Sequence, residues 1–262
     1  MNPNPSRRPA ISFAFFAVAV LACAGLATAS RADVTEDFQQ SFPLAQGGTV
    51  SLENLNGKAQ IVGVDNLREV RISAVKHGAD AEDLKSVAIK VDATSNAVRI
   101  TTDYGTDGNW RKNNHASVEY TLTVPRDAKL DKIALTNGSL EIEGVLGGVH
   151  AACTNGSLKA YDLAGGVRLS DVNGALTASL RTLTPGETVK LDTVNGSLRL
   201  ALPDDASATV HASTVNGGIE NSFGLNARKH DYVGRSLQGT IGAGATPVEL
   251  STVNGSIAIS RK

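Results

Sequence analysis

Apolar and polar residues alternate through most of the chain beyond residue 125. Val189, Leu191 and Thr193 lead into Asn195-Gly196, and Leu198, Leu200 and Leu202 leave it. Val248 and Leu250 lead into Asn254-Gly255, with Ile257 and Ile259 beyond. A period of two means β-strands with one buried face. Asn and Gly both tolerate positive φ at low steric cost, so each pair marks a sharp corner between strands. A second set of breakers lies between the corners: Gly147-Gly148, Gly165-Gly166, Pro185-Gly186, Pro203-Asp204-Asp205 and Gly242-Ala243-Gly244. Each repeat therefore holds about two short strands and two turns.

The corners recur at Asn56, Asn137, Asn155, Asn173, Asn195, Asn216 and Asn254, each followed by Gly. The last six are spaced 18, 18, 22, 21 and 38 residues apart. The gap of 38 reads as two periods, with Leu237-Gln238-Gly239-Thr240-Ile241 as a degenerate copy. Two all-β architectures satisfy this count. In an antiparallel meander or sandwich each Asn-Gly is a two-residue hairpin loop. In a β-solenoid each repeat is one coil, and equivalent residues stack on one another. Stacking favours repeated residue choices and a meander does not, so the near-identity of the corners selects a single-domain, β-helix-like solenoid.

Residues 33–125 are less regular. Strand-like stretches occur at Thr49–Leu52, Val70–Val75, Val87–Val91, Val98–Thr102 and Ser117–Val124, with one helical turn near Ala79–Ser86. Solenoids need atypical end units to cover open strand edges. This section is expected to supply such a cap and the first coils, with residues 126–262 as the regular coils.

The first thirty-two residues read as a secretory signal peptide. Arg7 and Arg8 precede an apolar run from Ile11 to Leu26, and small residues follow. That run of about 16 residues falls short of the roughly 20 that a membrane-spanning helix needs. Cleavage after Ala29 or after Ala32 satisfies the small-residue rule, and Ala32 is preferred. Ser6-Arg7-Arg8 opens like a twin-arginine signal, but Ala10 departs from that pattern. Val20-Leu21-Ala22-Cys23 is a poor lipobox, so lipid anchoring at Cys23 is the less favoured reading. Cleavage at Ala32 leaves 22 basic against 26 acidic residues, a net charge of −4. That balance argues against a phosphate-tracking nucleic-acid protein. Cys153 is then the one remaining cysteine, so no internal disulfide forms, and it reads as a buried spacer.

A resemblance follows from these features. Gly48-Thr49-Val50 with Asn56-Gly57, then Tyr120-Thr121-Leu122-Thr123-Val124-Pro125, then the Thr-Val-Asn-Gly-Ser-Leu/Ile series together resemble the bacterial putative-adhesin family of β-strand-repeat proteins. The resemblance runs from Thr49 to Lys262. It implies a β-solenoid fold, an envelope location and no catalytic residues, in a family whose function is unknown.

Candidate chemistry is sparse. His77, His115, His150, His211 and His230 form no close metal-binding pair, and Cys153 has no second cysteine beside it. Asp103, Asp107 and Gly108 lack the acidic ladder of a calcium loop. Ser139, Ser157, Ser197 and Ser256 recur at one repeat position, which is structural. No Gly-x-Ser-x-Gly elbow and no phosphate-binding glycine loop occurs. Two residues before each Asn the series runs Leu135, Cys153, Asp171, Thr193, Thr214 and Thr252, and Asp171 is its odd member. A solvated turn acid is the plain reading of Asp171. The sharper one is a carboxylate of a carbohydrate-active β-helix enzyme, a lyase or hydrolase, with Asp162 or Asp192 as the partner acid that such work needs. Tyr104 and Trp110 are the candidate exposed aromatics for a sugar.

No catalytic, cofactor or metal residue is assigned. The expectation is a non-catalytic exported protein, periplasmic or envelope-associated, acting as an adhesin-like or scaffold surface. Its partner would be an envelope or surface protein, a polysaccharide or another copy of itself, with no transmembrane segment in the mature chain.

Overall fold

Each Asn-Gly corner sends the chain from one sheet to another rather than back along the same one. A computed structural model describes residues 34–105, 116–229 and 233–262. The signal segment with Cys23 and both cleavage sites, and also Asp107, Gly108, Trp110, His115 and His230, lie outside these residues. In chain order the strands are β1 (Val34–Pro43), β2 (Thr49–Asn56), β3 (Ala59–Val64), β4 (Glu69–Gly78), β5 (Ala88–Ala93), β6 (Ala97–Asp103) and β7 (Ser117–Pro125). Then come β8 (Lys129–Asn137), β9 (Leu140–Glu143), β10 (Val149–Asn155), β11 (Leu158–Leu163), β12 (Val167–Asn173), β13 (Leu176–Leu180), β14 (Val189–Asn195) and β15 (Leu198–Leu202). The chain finishes with β16 (Ala208–Asn216), β17 (Ile219–Asn221), β18 (Ala227–Lys229), β19 (Arg235–Ile241), β20 (Thr246–Asn254) and β21 (Ile257–Arg261). One short helix, α1 (Ala81–Lys85), is capped by the Asp80 side chain, which accepts from the Glu82 and Asp83 N–H groups.

These strands form two sheets around one core. The first runs β1-β4-β7-β3-β9-β11-β13-β15-β21-β17, and the second β18-β19-β16-β20-β14-β12-β10-β8-β2-β6-β5. Strands flanking a corner, such as β14 and β15, belong to different sheets and pair in parallel with their equivalents in the next coil. A hairpin would pair them antiparallel with each other, so the meander is excluded and the solenoid holds. The alternating aliphatics point inward; Leu169, Leu191, Leu198 and Val248 are fully buried.

The stacking order departs from chain order at both ends. Coil β6–β7 lies outside coil β2–β3, and the last coil, β20–β21, lies between β14–β15 and β16–β17. Gln238-Gly239 is therefore not a corner. It sits within β19, which runs antiparallel to β16 and caps that end with β18. The 38-residue gap is one coil plus this capping excursion. At the opposite end β5 caps β6, and β4 and β1 cap β7, all antiparallel. These strands limit the unpaired edges that a parallel stack would present.

Identical corners place the asparagines on one line. Each side chain donates to the next: Asn137 to Asn56, Asn155 to Asn137, Asn173 to Asn155 and Asn195 to Asn173, each at 2.9 Å. Asn254 then donates to Asn195 and Asn216 to Asn254, each at 2.8 Å. An interior member takes part in two such bonds, and each intramolecular hydrogen bond contributes about 1 kcal/mol net. Asn195→Ala is expected to cost about 2 kcal/mol and Asn216→Ala, at the end of the line, about half that. Urea unfolding of the two variants checks the ratio.

Candidate functional site

The second set of turns, opposite the Asn-Gly corners, bounds a groove of about 590 Å³ across β8, β10, β12 and β14. Its floor is backbone, because Gly147, Gly148, Gly165, Gly166 and Gly186 carry no side chains into it. Gly147 is obligatory here: a Cβ would stand 2.2 Å from the Asp127 carbonyl oxygen. Outward-facing residues of the strands form the wall. His150 on β10 pairs in register with Arg168 on β12, and Arg168 with Lys190 on β14. Lys129 stands at the β8 end.

Three groups capable of positive charge thus lie on neighbouring strands, about 4.8 Å apart. Like charges directly opposite one another destabilise a sheet. Acids lie within ion-pair distance at the two ends of this row, and the Asp192 carboxylate also attracts Arg168 from farther off. Asp131 Oδ1 lies 3.6 Å from His150 Nδ1, and Lys190 Nζ lies 3.4 Å from Glu249 and 3.9 Å from Asp192. Arg168, in the middle, has no ion-pair partner among the described residues. Glu187 also lines the groove and is exposed.

The corner edge offers a second surface. Val172, Val194, Val253 and Val215 succeed one another in stacking order beside the asparagine line, each between 40% and 45% exposed. Four valines bury far less than the roughly 800 Å² per partner of a specific interface. The groove is the better-formed of the two surfaces.

A family model covers residues 44–260 of this arrangement. The chain belongs to the Toastrack DUF4097 family. No curated protein matches it. Among solved structures, it is similar to a putative cell adhesion protein from Clostridium sporogenes at 12% identity and a TM-score of 0.42, covering 87% of this chain and 100% of that one. A putative adhesin from Bacteroides fragilis is similar at 10% identity and a TM-score of 0.30, covering 86% and 97%. One from Parabacteroides distasonis gives 10% and 0.24, covering 87% and 97%.

The Toastrack coils do not bring together the three acids that the sequence offered for carbohydrate chemistry, Asp171, Asp162 and Asp192. Asp171 is 2% exposed, so it is neither a solvated turn acid nor open to a groove. Asp192 pairs in register with Ser170, one position along, and so points to the opposite face of its sheet from Asp171. Asp162 belongs to β11 in the other sheet, held by Arg181 and by Lys262 at 3.1 Å, which keep its carboxyl down at about 2. Tyr104 is no exposed platform either. It is buried, and its hydroxyl accepts from the Asn56 N–H and donates to Asn54 Oδ1.

Cys153 is buried, and its Sγ donates to the Gly138 carbonyl at 3.1 Å. Burial, with Asp171 beside it, pushes its thiol up to about 11, which leaves it inert at neutral pH. His77 is half-buried 3.9 Å from Glu119, and His211 faces Glu249 across β16 and β20. Asp103 is tied to Lys90. Among the described residues no three His, Cys, Asp or Glu side chains converge to hold a metal, and no helix among them is long and apolar enough to cross a membrane.

The cation row escaped sequence inspection, although its signal was present. His150, Arg168 and Lys190 each stand five positions before a corner asparagine and share the corners' own period of 18 and 22 residues.

Proposed function

We propose that this protein is a non-catalytic, exported envelope protein whose glycine-floored groove binds an acidic polysaccharide. Residues 1–32 serve as the cleaved export signal in this reading, and the stacked coils as a rigid carrier. The observation that carries it is the row His150–Arg168–Lys190. Stacking the Arg168 and Lys190 cations costs the folded state, and an anionic polymer laid across these coils would offset that cost. A repeating ligand suits a repeating site, because the three adjacent strands β10, β12 and β14 offer equivalent positions. The groove floor, being main chain, admits a polymer close to the sheet.

The test uses purified residues 33–262 and a panel of immobilised polysaccharides. Retention by polyuronates and not by neutral dextran, weakening with salt, is the expected result. Equal retention by both, or by neither, contradicts the ligand class. N-terminal sequencing of the protein recovered from its native cells tests export separately, with Asp33 expected as the first residue.

A further inference from the structure

The inner corner position, two residues before each asparagine, carries a recurring hydrogen bond that an ionised Asp171 cannot make. In stacking order the position reads Asn54, Leu135, Cys153, Asp171, Thr193, Thr252 and Thr214. Three of the donors give their proton to the corner glycine carbonyl of the adjacent coil, whereas Asn54 donates to the Asn56 and Val118 carbonyls and Thr193 is unpaired. Cys153 donates to Gly138, Thr252 to Gly196 at 3.2 Å and Thr214 to Gly255 at 2.9 Å. By the same geometry Asp171 faces the Gly156 carbonyl. The point that a Gly174 Cβ would occupy lies 1.5 Å from Gly156 O and 2.7 Å from Asp171 Oδ2. An ionised carboxylate has nothing to donate there.

Three atoms in this stretch are buried without a hydrogen bond: both Asp171 oxygens and Thr193 Oγ1. They belong to directly paired positions on β12 and β14. An unmet donor thus sits one rung from an unmet acceptor. Buried polar atoms left unpaired cost about 1–3 kcal/mol each, and two adjacent ones invite a shared solution.

We infer that Asp171 and Thr193 form a proton-operated latch between neighbouring coils. With Asp171 protonated, its O–H donates to the Gly156 carbonyl, as its column neighbours do to theirs, and Thr193 is free to donate to Gly174. With Asp171 ionised, the Thr193 hydroxyl turns to donate to the carboxylate, and the Gly156 carbonyl loses its side-chain partner. The proton is exchanged with solvent, and no other group changes its bonding. Cys153 on β10 is the titratable side chain facing Asp171. On β14 its neighbour is Thr193, the inward residues of β11 and β13 are Leu158, Ala160, Leu176 and Ala178, and Arg168 on β12 itself points outward.

Burial raises the Asp171 carboxyl from its ordinary 3.8 to about 6, opposed only by the nearby Asn173 and Val172 N–H groups, which do not complete a hydrogen bond. Stability from the protonated form is therefore fully present below the unfolded value and is lost as pH rises through about 6. Two pKa units correspond to about a hundredfold in the folding equilibrium.

The experiment pairs a ¹³C NMR titration of the Asp171 carboxyl with urea unfolding at pH 4 and pH 7.5. The wild-type midpoint should lie near 6, and Thr193→Val should raise it by removing the donor to the ionised form. Relative to Asp171→Asn and Asp171→Thr, which donate at every pH, the wild type should lose about a hundredfold in folding equilibrium between the two pH values. A midpoint at or below 4, or parallel behaviour of wild type and both variants, overturns the latch. An unmoved midpoint in Thr193→Val removes Thr193 from it. Should either Asp171 variant fail to fold, the titrations of wild type and Thr193→Val decide alone.

Discussion

Removing residues 245–262 is expected to abolish the folding of the C-terminal third, although these residues end the chain. In an ordinary solenoid the last coil is an end, and its loss exposes one surface. Here β20 pairs with β14 on one side and β16 on the other, and β21 lies between β15 and β17. The deletion takes away Val248, Leu250, Ile257 and Ile259, all essentially buried, each contributing about 2 kcal/mol of hydrophobic burial. It also strands β16–β17 and its cap with no neighbour. The combined loss reaches the entire net stability of a typical domain, about 5–15 kcal/mol. Limited proteolysis should find the truncated chain cut throughout residues 196–244. Deleting β1, an exposed edge strand, should leave the remaining coils resistant.

The second large effect is expected at a corner. Gly255→Ala would place a Cβ 1.9 Å from the Gly196 carbonyl oxygen, a backbone atom of the adjacent coil. No rotamer relieves such a contact, so the coils must separate. Overpacking of a core costs about 1–3 kcal/mol where side chains yield; with rigid backbone on both sides the cost should sit at or above the top of that range. Gly218, one residue beyond a corner, has nothing within 4 Å of its would-be Cβ. Gly218→Ala should be close to neutral. Thermal unfolding of the two variants side by side measures the difference.

The contrast explains why the repeat keeps glycine after asparagine at all seven corners. Six of those glycines, from Gly138 to Gly255, would each bring a Cβ to within about 2 Å of the next corner's carbonyl, so close stacking itself imposes the residue.

The strands, the corners and the two-turn repeat were legible in the sequence because they are local. Val189, Leu191 and Leu198 alternate whatever lies next to them. The stacking order was not legible, for a physical reason. Thr-Val-Asn-Gly at residues 193–196, 214–217 and 252–255 is the same surface three times over, so pattern alone does not say which copy neighbours which. The order is set by the excursion through β18 and β19, which carries the chain past its own last slot. Asp171 illustrates a different limit. Its departure from the series was visible, but its burial depends on the parallel pairing of β12 with β10 and β14, and without that it read as a solvated turn acid. The groove cations stood apart in the sequence by 18 and 22 residues and became a row only when the coils stacked.

The binding surface rests on that row and is tested most directly by calorimetric titration of polygalacturonate into the native domain and into Arg168→Glu. Arg168 is exposed and makes no ion pair within 4 Å, only a longer-range attraction to Asp192, so the substitution should leave the fold intact while reversing the charge at the centre of the groove. The account predicts measurable, salt-sensitive binding by the native protein and at least a tenfold loss in the variant, about 1.4 kcal/mol. Equal binding by both proteins would contradict it.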